Sequence, residues 1–177
     1  MQVRLAGSDD AQAIMEIYNR EVLGSTVTFD MVPRSLHEQL EWLDEHAGAH
    51  PAVVAVDDAG VVCGFGSLSP YRSRPAYRMT VEDSVYVHRD AQGRGVGRLV
   101  LRELLRLAEA HGFHSVMARI VEGHEASIAL HRSCGFELVG VERQVGRKFS
   151  RWLDVALMQR LLGDHDGPVA GNRPPLR

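Results

Sequence analysis

The sequence predicts a single α+β domain of mixed α/β type. Three observations carry that reading. Two runs with helical spacing come first, a β meander follows, and the chain then alternates strand, glycine-rich turn, helix, strand, short helix and strands. A length of 177 residues, 45% hydrophobic and 24% charged, is enough to bury one core of ordinary globular composition.

The elements follow in order. Ser8 and Asp9 read as a helix N-cap, with Ala13, Ile14, Ile17, Tyr18 and Val22 on one face of the helix behind them. Ser25, Thr26, Val27, Thr28 and Phe29 are β-prone. A second helix is expected from Ser35, with Leu36, Leu40 and Leu43 at helical spacing. Residues 52–56 read as a strand, 57–60 as a tight turn, and 61–68 as the hairpin partner. Pro70 and Pro75 bracket a loop. Residues 80–87 alternate, Val81, Asp83, Val85 and Val87 facing one way and Thr80, Glu82, Ser84 and Tyr86 the other. A helix through Leu99, Leu101, Leu104, Leu105 and Leu107 ends near Gly112. A strand over 115–121, a short helix over 126–134 stopped by Gly135, and strands over 136–145 and 152–161 complete the domain, 1–162. Residues 163–177, rich in Gly, Pro and polar side chains, read as a flexible tail.

Composition excludes several classes. A net charge of -3 gives no basic footprint for nucleic acid. Cys63 and Cys134 stand alone and form no metal or redox motif, and the nine histidines fall into no ligand pattern, so no metal is expected. His124, Glu125 and His131 do not make H-E-x-x-H. The opening residues carry no apolar run, and no stretch approaches the roughly 18 apolar residues of a membrane span. A cytoplasmic protein without membrane contact is expected.

The chemistry concentrates in one loop, Gln92, Gly93, Arg94, Gly95, Val96, Gly97 and Arg98, between a strand and a helix. Glycines there let backbone approach a ligand and take positive φ. The helix that follows begins with unpaired N–H groups and a partial positive charge, which suits a pyrophosphate. Arg94 and Arg98 can add charge. No Gly-Lys-Ser/Thr follows, so this is not a Walker loop. The third glycine comes one residue too early for the dinucleotide fingerprint. Taken alone, an ordinary strand-to-helix turn remains open.

The surroundings decide. Gln-x-x-Gly-x-Gly after Ser84, Val85, Tyr86 and Val87 resembles the coenzyme A loop of the GNAT acetyltransferase superfamily, and the stretch 126–136, ASIALHRSCGF, is similar to its second acyl-CoA segment. Three further stretches, 25–29 (STVTF), 80–87 (TVEDSVYV) and 144–154 (QVGRKFSRWLD), resemble the phosphinothricin and methionine sulfoximine acetyltransferases. The resemblance runs from about Val3 to Leu162. It implies a GNAT fold: a central, mostly antiparallel twisted sheet, splayed at the acetyl-CoA site and flanked by helices.

The resemblance also implies roles. Backbone groups of Val85, Tyr86 and Val87 would pair with pantetheine, and the amides of Gly93, Arg94, Gly95, Val96, Gly97 and Arg98 would hold the pyrophosphate. Ser127 and His124 would touch the cofactor, although many members carry Asn at position 124. Glu82 takes the position of the family's glutamate. A neutral amine must attack the thioester, so a carboxylate is needed to remove the ammonium proton; without the motif, Glu82 reads as a solvent-facing strand residue. Arg72, Ser73 and Arg74 fall on the substrate loop, where an arginine fork matches a carboxylate, oxidised sulfur or phosphinyl group; a solvated basic loop is the other reading. Phe29 would pack on the substrate or sit in the core. Asp83 and Ser84 are weaker candidates for the substrate wall. His131 stands where many members have the tyrosine that protonates the leaving thiolate; it could donate a proton, cap a helix or pack.

The expected reaction moves acetyl from acetyl-CoA to the α-amine of phosphinothricin, methionine sulfoximine or methionine sulfone, with no covalent intermediate and as a homodimer. A GNAT enzyme acting on a protein N-terminus, a polyamine or an aminoglycoside, and an acyl-CoA sensor without turnover, are the alternatives. Arg72 and Arg74 speak for an acidic acceptor, and Glu82 against a sensor.

Overall fold

The computed structural model describes residues 1–163. Seven strands form one sheet in the order β1-β2-β3-β4-β5-β7-β6. They are β1 (Gln2–Leu5), β2 (Ala52–Val56), β3 (Val62–Pro70), β4 (Thr80–Val87), β5 (Ser115–Val121), β6 (Glu137–Lys148) and β7 (Arg151–Leu161). Four helices join them: α1 (Ala11–Gly24), α2 (Leu36–Glu45), α3 (Val96–Ala110) and α4 (Glu125–Ser133). Every strand pair is antiparallel except β4–β5. The splayed, mostly antiparallel GNAT arrangement is thus the observed one.

Apolar periodicity explains the two layers. On α3, Val100, Leu101 and Leu104 recur at helical spacing and are fully buried against Val53, Leu68, Val81 and Val116 of the sheet. On the opposite face, Ile14, Ile17, Tyr18 and Val22 of α1 cover Val54 and Phe65. The Ser35 cap is as expected: its hydroxyl accepts from Glu38 N while the Glu38 carboxylate accepts from Ser35 N.

Several boundaries differ from the sequence reading, each for a physical reason. Strand β1 was not expected; four residues with Arg4 among them are too short to show alternation, and β1 forms because β2 offers an edge. The cap at Ser8 is displaced. Asp10, not Ser8, opens α1, because its buried carboxylate takes both Arg4 guanidinium N–H groups (2.7 and 2.8 Å) and Gly7 N. The β-prone residues 25–29 form a bend with no strand partner. β6 runs on to Lys148, past a register shift between Glu142 and Gly146. The segment expected to be a tail, 163–177, lies outside the described residues from position 164 on.

The strand β3 admits α3 at close range through glycine. A Cβ on Gly66 would stand 2.6 Å from Val100 Cγ1 and 2.7 Å from Ser84 O. Gly66→Ala should therefore destabilise the fold by about 2 to 3 kcal/mol, as overpacking does. A thermal melt is expected to show a Tm drop of roughly 5 to 10 °C; an unchanged Tm would contradict this packing.

Candidate active site

The site begins where two strands part. β4 and β5 share three rungs, Thr80↔Ser115, Val81↔Val116 and Glu82↔Met117. β5 then stays with β7 through Val121, while β4 stays with β3 through Val87. The backbone of residues 85–87 is left without a neighbour on its β5 side. A cleft of about 670 Å³ opens there, walled by β4 on one side and by residues 120–130 on the other.

The glycine loop closes the cleft's end. Gly93 and Gly95 adopt φ of +73° and +82°, and Gly95 is the cap from which α3 starts. The first amides of α3 thus face the cleft unpaired. At Gly97 a Cβ would stand 3.0 Å from Leu130 Cδ2, so this glycine lets α3 and α4 converge.

Val85, Tyr86, Val87, Gly93, Gly95, Val96, Gly97, Arg98, His124 and Ser127 all line this cleft. Arg94 does not: its residue lines a second recess with Glu16, Arg20 and His88. His124 Nε2 lies 3.0 Å from Thr26 Oγ1, so the histidine reaches from the cap of α4 to the bend at 25–29.

Glu82, Asp83 and Ser84 precede the cleft segment on β4. Burial lifts the Glu82 carboxyl above the usual carboxylate range; Arg119 opposes this, and the charges of Asp83 and Glu142 reinforce it. Met117 faces Glu82 across the last rung, and Arg119, two residues on, shares that face of β5. Arg119 donates to Glu142 at 2.6 Å. Arg72 is exposed, contributes to the field at Glu82, and stacks 4.9 Å over the Tyr71 ring. Ser73 and Arg74 are exposed, Arg74 capping a short 3-10 turn, Pro75–Tyr77.

Phe29 is not core; it is 38% exposed, and its ring lies over Gly146, where a Cβ would be 2.2 Å from it. Its neighbour Thr28 is fixed from two sides. The buried Lys148 ammonium donates to the Thr28 carbonyl at 2.8 Å, and the Thr28 hydroxyl lies 3.0 Å from the Tyr18 hydroxyl, which itself donates to Asp30. Burial pulls the Lys148 pKa down, against the charges of Asp30 and Glu21.

His131 is 3% exposed and is not part of the cleft lining. Its Nδ1 lies 2.7 Å from the Ser127 carbonyl and its Nε2 3.0 Å from Asp83 Oδ2. Burial pulls its pKa down, but the hydrogen bond and charge of Asp83 outweigh burial and hold it above the ordinary histidine value.

Sequence reasoning missed Arg119 and Glu142, and it named Gly146 and Lys148 only within the stretch 144–154, without a contact to Phe29 or Thr28. Their approach depends on the strand order β5-β7-β6, for which no local signal exists. Among the described residues, no group of three or more His, Cys, Asp or Glu could hold a metal ion. Nor is any helix there long and apolar enough to cross a membrane.

A parted parallel rung beside a glycine loop at a helix start defines an acyl-CoA-dependent transferase fold. The chain belongs to the Acetyltransferase (GNAT) family, which residues 11–136 match. It is 42% identical over 158 residues to an L-methionine sulfoximine/L-methionine sulfone acetyltransferase of Pseudomonas paraeruginosa, covering 89% of this chain and 92% of that one. A GNAT superfamily phosphinothricin acetyltransferase from Sinorhizobium meliloti, solved in complex with AcCoA, is 41% identical with a TM-score of 0.89, covering 98% of this chain and 95% of that one. A ribosomal-protein-alanine N-acetyltransferase structure from Brucella melitensis is 39% identical with a TM-score of 0.89, covering 92% and 100%.

Proposed function

We propose that this acetyltransferase moves acetyl from acetyl-CoA to the α-amine of a small amino-acid analogue: methionine sulfone, methionine sulfoximine or phosphinothricin. The observation that carries the reading is the unpaired backbone of 85–87 beside the open amides of α3. Pantetheine adds there as a short strand, and the pyrophosphate lies on residues 93–98.

Glu82 then accepts the ammonium proton, directly or through one water. The amine nitrogen forms its bond to the acetyl carbon, the C–S bond breaks, CoA leaves with the sulfur electron pair, and the proton that the nitrogen sheds in becoming an amide ends on that thiolate. A carboxyl lifted by burial suits this role, because its basicity lies nearer working pH. Arg72 and Arg74, on the exposed loop beside Glu82, bind the acceptor's carboxylate and its sulfonyl, sulfoximine or phosphinyl oxygens, and Phe29 packs on its side chain. The name of the Brucella melitensis relative favours a second reading, a protein N-terminus as acceptor. The two arginines weigh for the small molecule, which carries a free carboxylate.

The outer face of β6, an edge strand with Leu138, Val139 and Val141 about half exposed, fits a second copy of the chain, as does the 60% exposed Trp152. The homodimer and a cytoplasmic location belong to the same reading.

Two measurements test it. Purified protein with acetyl-CoA should release CoA thiol with methionine sulfone, and not with a lysine peptide; the reverse preference would overturn the acceptor class. Because Glu82 works as the carboxylate and its pKa is raised, kcat/KM should climb with pH through that raised value. Glu82→Gln should remove this limb and lower kcat/KM by about 10² to 10⁴; an unaltered profile would remove Glu82 from the mechanism. In light scattering one species of twice the 19.6 kDa chain mass is expected, and a monomer rejects the dimer.

A further inference from the structure

The cleft has two walls, β4 and α4, and no ladder joins them. β4 loses its β5 partner after Glu82. The next residue, Asp83, points to the α3 and α4 side of the sheet, the side of Val81 and Val85. There its carboxylate meets His131 of α4 at 3.0 Å, with the two side chains 1% and 4% exposed. The polar link between cofactor strand and cofactor helix therefore falls at the first position where the backbone link is gone.

The ring has little freedom. The Ser127 carbonyl can only accept, so Nδ1 carries a proton. Nε2 faces a carboxylate oxygen, so it too directs a proton at protein. Phe136 closes the ring edge-on, centroids 5.0 Å apart at 84°. Asp83 Oδ1 is buried without a hydrogen-bond partner, so the carboxylate's attachment to the protein runs through Oδ2 and the imidazole. Neither N–H aims into the cleft, which His131 does not line.

We propose that Asp83 and His131 are a positioning pair, a buried strut that holds α4 against β4 and sets the width of the acetyl-CoA cleft, and that His131 does not protonate the departing thiolate. The inference rests on the acetyl-CoA reading of the cleft. It assigns to side chains the spacing that a strand pair would otherwise enforce. The relative positions of 85–87 and of the α4 N-terminus depend on it, and with them the fit of pantetheine between the two.

Asp83→Asn separates the strut from a proton donor. Asparagine keeps the shape, and its amide N–H can donate to Nε2 of a neutral imidazole whose Nδ1–H still serves Ser127. The link survives, whereas the imidazolium does not. Asp83→Leu breaks the link, and so does the double variant Asp83→Leu/His131→Leu. The double variant also avoids an uncompensated buried charge and should fold, since apolar replacement of a buried pair is tolerated.

The test compares these variants by calorimetric acetyl-CoA affinity, by kcat and by KM, with circular dichroism and thermal melts as folding controls. The strut requires Asp83→Leu and the double variant to weaken acetyl-CoA binding about 10- to 100-fold, as misplacement of a binding group does. It requires Asp83→Asn to restore most of that affinity, with kcat lowered by no more than about fivefold. A kcat loss of about 10² or more in Asp83→Asn at unchanged acetyl-CoA affinity would make His131 the acid and overturn the proposal. Wild-type affinity in the folded double variant would overturn it as well. Calorimetry reads the cleft without turnover, so an incorrect acceptor assignment would appear separately, as wild-type protein that binds acetyl-CoA and acetylates none of the analogues.

Discussion

β4 and β5 run together for three rungs and then separate, and the site follows from that separation. Each strand keeps its outer partner, β3 on one side and β7 on the other, so the break costs few backbone hydrogen bonds within the strands' own layers. Parallel pairing is slightly weaker per residue than antiparallel pairing, and β4–β5 is the parallel contact in an otherwise antiparallel sheet. The sheet opens at its weakest seam. An unpaired strand edge inside a protein is unfavourable unless something hydrogen-bonds to it. In the proposed reading the extended, amide-bearing pantetheine arm supplies such a partner.

The bend at 25–29 is built differently, from side chains. Residues 25–29 have strand composition but no strand to join, so Thr28 is pinned by Lys148 and Tyr18, and Phe29 rests on Gly146. A buried lysine is costly, and its single carbonyl partner offsets part of that cost. The cost is tolerated where a segment must be held in place without a ladder. His124, reaching Thr26 from the cap of α4, gives the same bend a third anchor, this one on the cofactor side. This short irregular segment is therefore fixed from the sheet, from α1 and from α4.

Much of this was legible from residue order. Helical spacing located α1 to α3, two strand-like runs around a tight turn located β2 and β3, alternation located β4, and the glycine spacing marked the turn that opens α3 with two positive-φ positions. Contacts between distant segments were not legible. Nothing near His131 signals Asp83, 48 positions earlier, and nothing near Lys148 signals Thr28, 120 positions earlier. The same reason hid Arg119 and Glu142, which meet only because β6 lies beyond β7. Local propensity also misled at 25–29, where β-prone residues lack a partner. At Arg94, the spacing gave no sign that the residue lines the second recess rather than the cleft.

Amide hydrogen exchange, with and without saturating acetyl-CoA, tests the central claim most directly. Cofactor lying as an added strand in the opened seam should slow exchange in 85–87 and in 93–98, while the already paired strand β2 stays unchanged. Unaltered exchange at 85–87 under saturation, or protection confined to the recess at Arg20 and Arg94, would contradict the account.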